Sequence, residues 1–394
     1  MVLVAPSLAD GELAVLEALA PTQAGEAARA SILAQGLPTK RNEAFKWSDL
    51  RAALQDGVPK PSGSAGMVPA CWQDALVIDF TPEGFGLEGD KDAGLVIESE
   101  ESLPLEDVVG VESLAAGFAP RALVLRITSQ QSRPIFLRRH PGAPMRVRVE
   151  LKAETNLTLV DTSLGEAGLA SALIEAELAT GATLTRYSLQ QGGNKAIDLS
   201  HCRVTIGAGA TYEATSLMFG AHFARAETLA RLIGAGGYCR IRGAYLLAGS
   251  SHADMTSKII HLSPDTFTEE LFKGAVQDRA RGVFQGKILV ERGAQQTDAR
   301  QNHHALMLTE GAQIDAKPEL EIYADDVQCA HGNTIGALDE EALFYLRQRG
   351  IPENQAKALL IEAFVTEVFD TLSEQDVRDW FNDQARTWLK SRVG

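Results

Sequence analysis

Between residues 181 and 311 the chain repeats one small device. Gly181-Ala182, Gly209-Ala210, Gly236-Gly237, Gly293-Ala294 and Gly311-Ala312 each open a run of strand-forming residues. The first intervals are 28 and 27 residues, and the step from Gly236 to Gly293, 57, is close to twice that. The last, 18, breaks the rule. Small residues turning the chain at a fixed period suit a solenoid, in which each coil buries its apolar face against the next. A β-sandwich with regular turns is the rival. Strand-like text running from about 75 to 335 is longer than one sandwich needs, so the repeat favours the solenoid.

The flanks read differently. Leu8, Leu13, Leu16 and Leu19 form a helical stripe stopped by Pro21, and a second helix ends at Gly36. Residues 1–56 are therefore expected to be a helical region, and 57–74, with Gly57, Pro59, Pro61, Gly63, Gly66 and Pro69, a linker. Residues 75–337 form the β core. Residues 338–394 form a helical bundle: Asp339 caps a helix closed by Gly350, Pro352 starts a second, and Ser373 with Asp376 opens a third.

Bulk properties narrow the class. A net charge of −15 over 394 residues argues against nucleic acid as the main ligand. The charge is also uneven: residues 74–113 carry twelve acidic side chains and one Lys, residues 121–152 eight basic ones and one Glu. These blocks are expected to face each other across adjacent rungs. Met1 to Pro6 lacks a charged, apolar leader, and no run of 18 apolar residues spans a membrane. Four scattered cysteines without a CxxC pair read as reduced thiols, hence a cytoplasmic chain.

The phosphate-binding motifs fail. Gly282 to Ile288 has three residues between its glycines, and Ile288 where Ser or Thr should hold magnesium. His303-His304 and His201-Cys202 are adjacent pairs, so on a strand their members point to opposite faces. Cys329 and His331 are different. They lie two apart in strand-like text and should project together, with Asp325 on the same alternate face. Sulfur beside nitrogen suits iron or zinc, and two or three donors leave a tetrahedral site incomplete, so the rest would come from a second protein.

The run Pro318 to Gly332 (PELEIYADDVQCAHG), with Leu338-Asp339-Glu340-Glu341, Phe344-Tyr345-Leu346 and Arg349-Gly350-Ile351, resembles the SufB/SufD family of iron–sulfur cluster assembly proteins. Gln301-Asn302, Leu306-Met307-Leu308 and the Pro38-Thr39 to Trp47 segment resemble it too. SufB proteins are longer and richer in cysteine, so the resemblance is to the SufD branch.

That resemblance implies a right-handed parallel β-helix with helical ends, and a non-catalytic scaffold subunit. It implies a heterodimer with SufB along the strands near 300–335, or a homodimer when SufB is absent. The ATPase SufC would dock on residues around 339–369, with Leu343, Phe344, Leu346, Leu360 and Phe364 as candidates. ATP binding by SufC would strain the SufB boundary and expose buried Cys329 and His331 to a cluster held there transiently. His331 matches a histidine of that boundary. A reduced flavin accompanies assembled complexes of this kind, and no residue here places one. The alternatives are a SufB-type primary scaffold and a β-helical polysaccharide-acting enzyme. The second would need an export signal and aromatic platforms, which 6% aromatics do not supply.

Overall fold

The computed structural model describes residues 8–105 and 111–393; the leader reading at residues 1–6 and the acidic Glu106 and Asp107 lie outside them. Helices α1 (Asp10–Ala18), α2 (Gln23–Gln35) and α3 (Leu50–Ala53) come first. Strands β1 (Leu76–Thr81), β2 (Gly84–Glu88) and β3 (Leu95–Glu101) follow, then α4 (Val111–Phe118), β4 (Arg121–Ile127), β5 (Ile135–Arg139) and β6 (Pro144–Leu151). The coil continues through β7 (Asn156–Leu178), β8 (Thr183–Ile206), β9 (Thr211–Met218), β10 (Phe223–Leu232), β11 (Tyr238–Leu247) and β12 (His252–His261). It ends with β13 (Phe267–Val276), β14 (Arg281–Val290), β15 (Asp298–Met307), β16 (Gln313–Ile322) and β17 (Gln328–Gly336). Helices α5 (Glu340–Gln348), α6 (Glu353–Thr366) and α7 (Gln375–Val393) close the chain.

From β9 onward each strand pairs in parallel with the strand two places ahead of it. The result is a parallel β-solenoid of about 8 turns with two faces. The first sheet runs β5, the front halves of β7 and β8, then β9, β11, β13, β15 and β17. The second runs β4, β6, the back halves of β7 and β8, then β10, β12, β14 and β16. Strands β7 and β8, at 23 and 24 residues, pass round the corner as continuous extended chain and belong to both.

The repeating glycines are the corners, but not all of those expected. Gly181, Gly209 and Gly236 take positive φ, and the next corners are Asp265 (φ 55°) and Gln296 (φ 61°), not Gly293. At each corner the backbone N–H donates to a carbonyl of the next: Gly181 to Ala208 at 2.9 Å, Gly209 to Ala235 at 2.9 Å, Gly236 to Asp265 at 3.1 Å, Asp265 to Gln295 at 2.9 Å and Gln296 to Asp326 at 2.7 Å. The broken interval of 18 also has a cause. Gly293 precedes β15 of the first sheet and Gly311 precedes β16 of the second, so they are half a turn apart.

Alternation along each strand sends one set of side chains inward and one outward. Leu159, Leu184, Tyr212, Ile241 and Phe272 fill the interior from the first sheet, Ile174, Val204, Ile259 and Ile288 from the second. Not all of the interior is apolar. Arg186 forms a two-pronged pair with Asp161 at 2.7 and 3.0 Å, and Arg139 reaches Asp198 at 3.3 Å. The outward apolar residues of the first sheet (Val160, Tyr187, Leu217, Leu246) are covered by Ile361, Val365, Phe369, Phe381 and Trp388 of the C-terminal helices. Those of the second sheet (Ile197, Leu199, Phe223) are covered by Val15, Ile32, Phe45 and Leu50 from the N-terminal region. Helix α4, unforeseen in strand-like text, joins that layer through Ala115 and Ala116 against Ala24.

The N-terminal layer is held by buried charge. Glu12, 1% exposed, accepts from Ala9 N and Leu37 N, each at 2.8 Å, and pairs with Arg51 at 3.0 Å, tying the start of α1 to the end of α2 and to α3. Ser48 donates to Asp254 of β12, which also pairs with fully buried Arg225. The Arg225 guanidinium stacks on Phe45 at 4.4 Å. The two charge blocks face each other: Arg126 meets Glu98 and Glu100, Arg133 meets Asp90 and Asp92, and Arg138 meets Asp79 and Glu88. Exposed pairs of this kind contribute little each.

Two expectations follow. Asp254→Ala takes one of two carboxylates from Arg225, which keeps Glu227 at 2.8 Å, so urea unfolding should show a loss of about 1–3 kcal/mol; a loss below about 0.5 kcal/mol would mean the clasp is not desolvated. Acid also weakens the fold. His201, His261 and His303 are each at or below 1% exposed, and burial pulls each imidazole down to about 4. Unfolded, they titrate near 6.5, so the unfolded chain binds more protons between pH 6.5 and 4, and stability falls as pH falls through that window. Glu270 opposes this, because burial lifts its carboxyl to about 7. His252 is pulled down to about 4 as well, and burial also raises Glu112 and Asp198; four imidazoles outweigh three carboxyls, so calorimetry should show a lower melting temperature at pH 5 than at pH 7.

Candidate functional site

The two ends of the solenoid differ. At the first, β2 lies antiparallel on β1 and β3 antiparallel on β4, so that end finishes in two antiparallel edge strands, β3 lined with Glu98, Glu100 and Glu101. At the second, among the described residues, β16 pairs only with β14 and β17 only with β15. An unpaired edge offers its N–H and C=O groups to another chain unless guarded. Edge β16 is guarded by Pro318, which lacks an N–H, and by Asp315, Lys317, Glu319 and Glu321. Edge β17 (QCAHGNTIG) has no proline and no carboxylate or Lys/Arg.

Register places the candidate donors. Cys329 lies beside Ala299 of β15, His331 beside Gln301, Asn333 beside His303 and Ile335 beside Ala305. All four β15 residues are buried and inward, so the β17 side chains extend interior columns onto a rung with nothing stacked beyond it. Cys329 and His331 therefore share a face, as their spacing predicts. Asp325 does not join them: it lies in the exposed bend before β17, off the strand. Nor are both buried in the isolated chain, since Cys329 is half-buried against the interior and His331 is exposed.

The chemistry of the pair is limited. Burial, helped by the charge of Asp298, raises the Cys329 thiol and so disfavours its thiolate in the isolated chain. Positions two apart on a strand are roughly 7 Å apart along the backbone. Among the described residues no group of three His, Cys, Asp or Glu side chains is placed to hold a metal ion. A tetrahedral iron or zinc at this edge would take its other donors from a second molecule.

Helix α5 stands next to the edge. Asp339 caps it, accepting from Glu341 N at 2.9 Å and Ala342 N at 3.1 Å, and Gly350 ends it with φ 86°. Phe344 and Tyr345 are 62% and 57% exposed, Leu343 and Leu346 half-buried. Leu360 on α6 is half-buried too, while Phe364 turns toward the solenoid, its ring 4.5 Å from Lys273 Nζ. Pro352 precedes α6, which starts at Glu353. Ser373 bonds Glu374 rather than capping α7.

One feature under the edge was not visible in the sequence. Glu270 and Gln301, 31 residues apart, are fully buried and joined by a 2.6 Å hydrogen bond, Gln301 Nε2 donating. Only the rung register brings them together.

Comparison with known proteins then decides the family. Residues 138–364, from β5 into α6, match the family model for the SufBD core domain of SUF-system FeS cluster assembly. The chain belongs to the SufB/SufD family. It is 27% identical over 382 residues to the iron–sulfur cluster assembly protein SufD of Escherichia coli, covering 88% of both chains. SufD of Bacillus subtilis is 34% identical over 152 residues, 39% of this chain and 35% of that one. A SufBD family protein of Mycobacterium tuberculosis is 32% identical over 206 residues, 50% of this chain and 52% of that one. Within the SufB/SufD family the similarity is thus to SufD, and the role is in iron–sulfur cluster assembly. Among the described residues no helix is long and apolar enough to cross a membrane.

Proposed function

We propose that this chain is a non-catalytic scaffold subunit of a SufBCD-type complex, contributing to de novo cluster assembly and iron acquisition. It pairs with a SufB-type subunit along β17 and carries a SufC-type ATPase on its C-terminal helices, with ATP hydrolysis belonging to that partner. The observation that carries this reading is the unguarded β17 edge, with Cys329 and His331 on one face and an apolar-studded helix directly after it. Strand addition would supply main-chain hydrogen bonds and bring in the missing donors at the same step. The nascent cluster is then cargo shared across the boundary, with Cys329 and His331 as this chain's donors. The apolar positions Leu343, Phe344 and Leu346 of α5, continued by Leu360 of α6, suit the core of a protein interface, with Phe364, turned toward the solenoid, backing that surface from beneath. A reduced flavin, if the complex holds one, has no assigned residues in this chain. A cytoplasmic site of action fits the reduced thiols.

Two experiments test the reading. In the complex purified after co-expression with SufB-type and SufC-type partners, His331→Ala should cut iron and sulfide content at least severalfold; unchanged loading removes the ligand role. Replacing Phe344 and Leu346 together with Asp should abolish co-purification of the ATPase while leaving the melting temperature within a few degrees. Full recovery of the ATPase would move the docking surface elsewhere.

A further inference from the structure

A buried amide oxygen lies one rung beneath His331 without a donor. Glu270 of β13, Gln301 of β15 and His331 of β17 occupy matched positions on three successive rungs of the first sheet. Gln301 Nε2 donates to Glu270 Oε2 at 2.6 Å. An ionised Glu270 can only accept, so in that form it holds the amide with its NH2 inward and its own oxygen turned elsewhere. Among the described residues, Gln301 Oε1 has no hydrogen-bond partner, and neither has Glu270 Oε1 on the far side of the pair from the Nε2 bond. Buried acceptors are nearly always paired, so an orphan one rung from a functional edge calls for a reason.

The space around this amide is built by the sequence. A Cβ placed on Gly286 would fall 2.2 Å from Gln301 Nε2 and 2.7 Å from Oε1. Gly286 is absent from the positive-φ residues, so its backbone does not demand glycine. The amide does. The glycine before Lys287, so suggestive of a phosphate loop, is instead a side-chain vacancy that admits Gln301.

We propose that Gln301 is a positioning residue for His331: its amide oxygen accepts one imidazole N–H, leaving the other ring nitrogen free to bind metal. The inference rests on the reading of His331 as a cluster donor. Adjacent parallel strands are about 4.8 Å apart, which brings an inward imidazole on β17 within reach of an amide on β15. A neutral imidazole has one N–H, and the bond that N–H makes decides which nitrogen keeps its lone pair. Histidines that hold metals give their second nitrogen to such an acceptor. Glu270 fixes the amide's orientation, and ionised or protonated it still presents an oxygen to Gln301 Nε2. His331, exposed in the isolated chain, would take up this bond when a partner covers the edge.

The test uses the assembled complex after co-expression, with three variants. Gln301→Met keeps the length and apolar bulk but removes the amide oxygen. The double variant Glu270→Gln with Gln301→Glu exchanges the two groups and restores both the internal bond and a free oxygen on position 301. Iron and sulfide content and the nitrogen hyperfine coupling of the reduced cluster by pulsed EPR are read for each, with melting curves as the folding control. Gln301→Met should lower loading about tenfold and broaden or erase the single nitrogen coupling, and the exchange variant should restore both. Full loading with an unchanged nitrogen coupling in Gln301→Met overturns the inference, as does loss of the coupling in the exchange variant if Gln301→Met does not assemble. His331→Ala separates the two claims. If it lowers loading while Gln301→Met does not, only the positioning role falls; if it changes nothing, the donor reading falls and takes this one with it.

Discussion

The hydrogen bonds that pass from corner to corner set everything else in this molecule. At each turn one residue adopts a left-handed backbone conformation and donates its N–H to the corner stacked on it. Glycine does this freely, whereas Asp265 and Gln296 do so at roughly 1 kcal/mol each. The stacking fixes the register of both sheets. A slip of one residue would turn every inward side chain outward, exposing the interior columns and burying the pairs that hold the helices. The inner position of Cys329 and His331 on the last strand is therefore inherited from corners far up the coil.

The same register makes two unlike covers possible. The first sheet presents Tyr187, Leu217 and Leu246 outward to the aromatic face of α7 and the apolar side of α6. The second presents a mixture of apolar and charged groups, and the N-terminal region answers with Phe45 over Arg225 and Ser48 on Asp254. One cover is a hydrophobic joint and the other a desolvated polar clasp, whose disruption leaves charge stranded in the interior. Between them the coil finishes in antiparallel strands at one end and in the parallel strands β16 and β17 at the other.

Much of this was legible in the residues, for identifiable reasons. Gly181, Gly209 and Gly236 announced the coil because the corner conformation selects glycine. Asp265 and Gln296 occupy the same corners without announcing them, and Gly293, three residues before Gln296, imitates a corner it does not form. The spacing of Cys329 and His331 was readable because strand alternation is local, and Asp339, Gly350 and Pro352 marked helix ends for equally local reasons. What stayed hidden depends on stacking across rungs: the pairing of Asp161 with Arg186, 25 residues on, the contact of Arg139 with Asp198, 59 residues on, and the amide of Gln301 lying over Gly286. Asp325 failed for the opposite reason, because a bend interrupts the alternation that would have aligned it. The run of strands β7 and β8 round the corner was hidden too, since nothing in their composition marks the crossing.

Only residues 337–339 separate the end of β17 from the start of α5, and Leu338 among them is anchored in the joint with the C-terminal helices. Three residues reach at most about 10 Å when fully drawn out. This link therefore has almost no slack. Any load that shifts α5 farther than that is transmitted along extended backbone into the terminal strand, peeling it from β15 one rung bond at a time. The helix and the edge strand are coupled mechanically by the shortness of their connection, without a dedicated hinge.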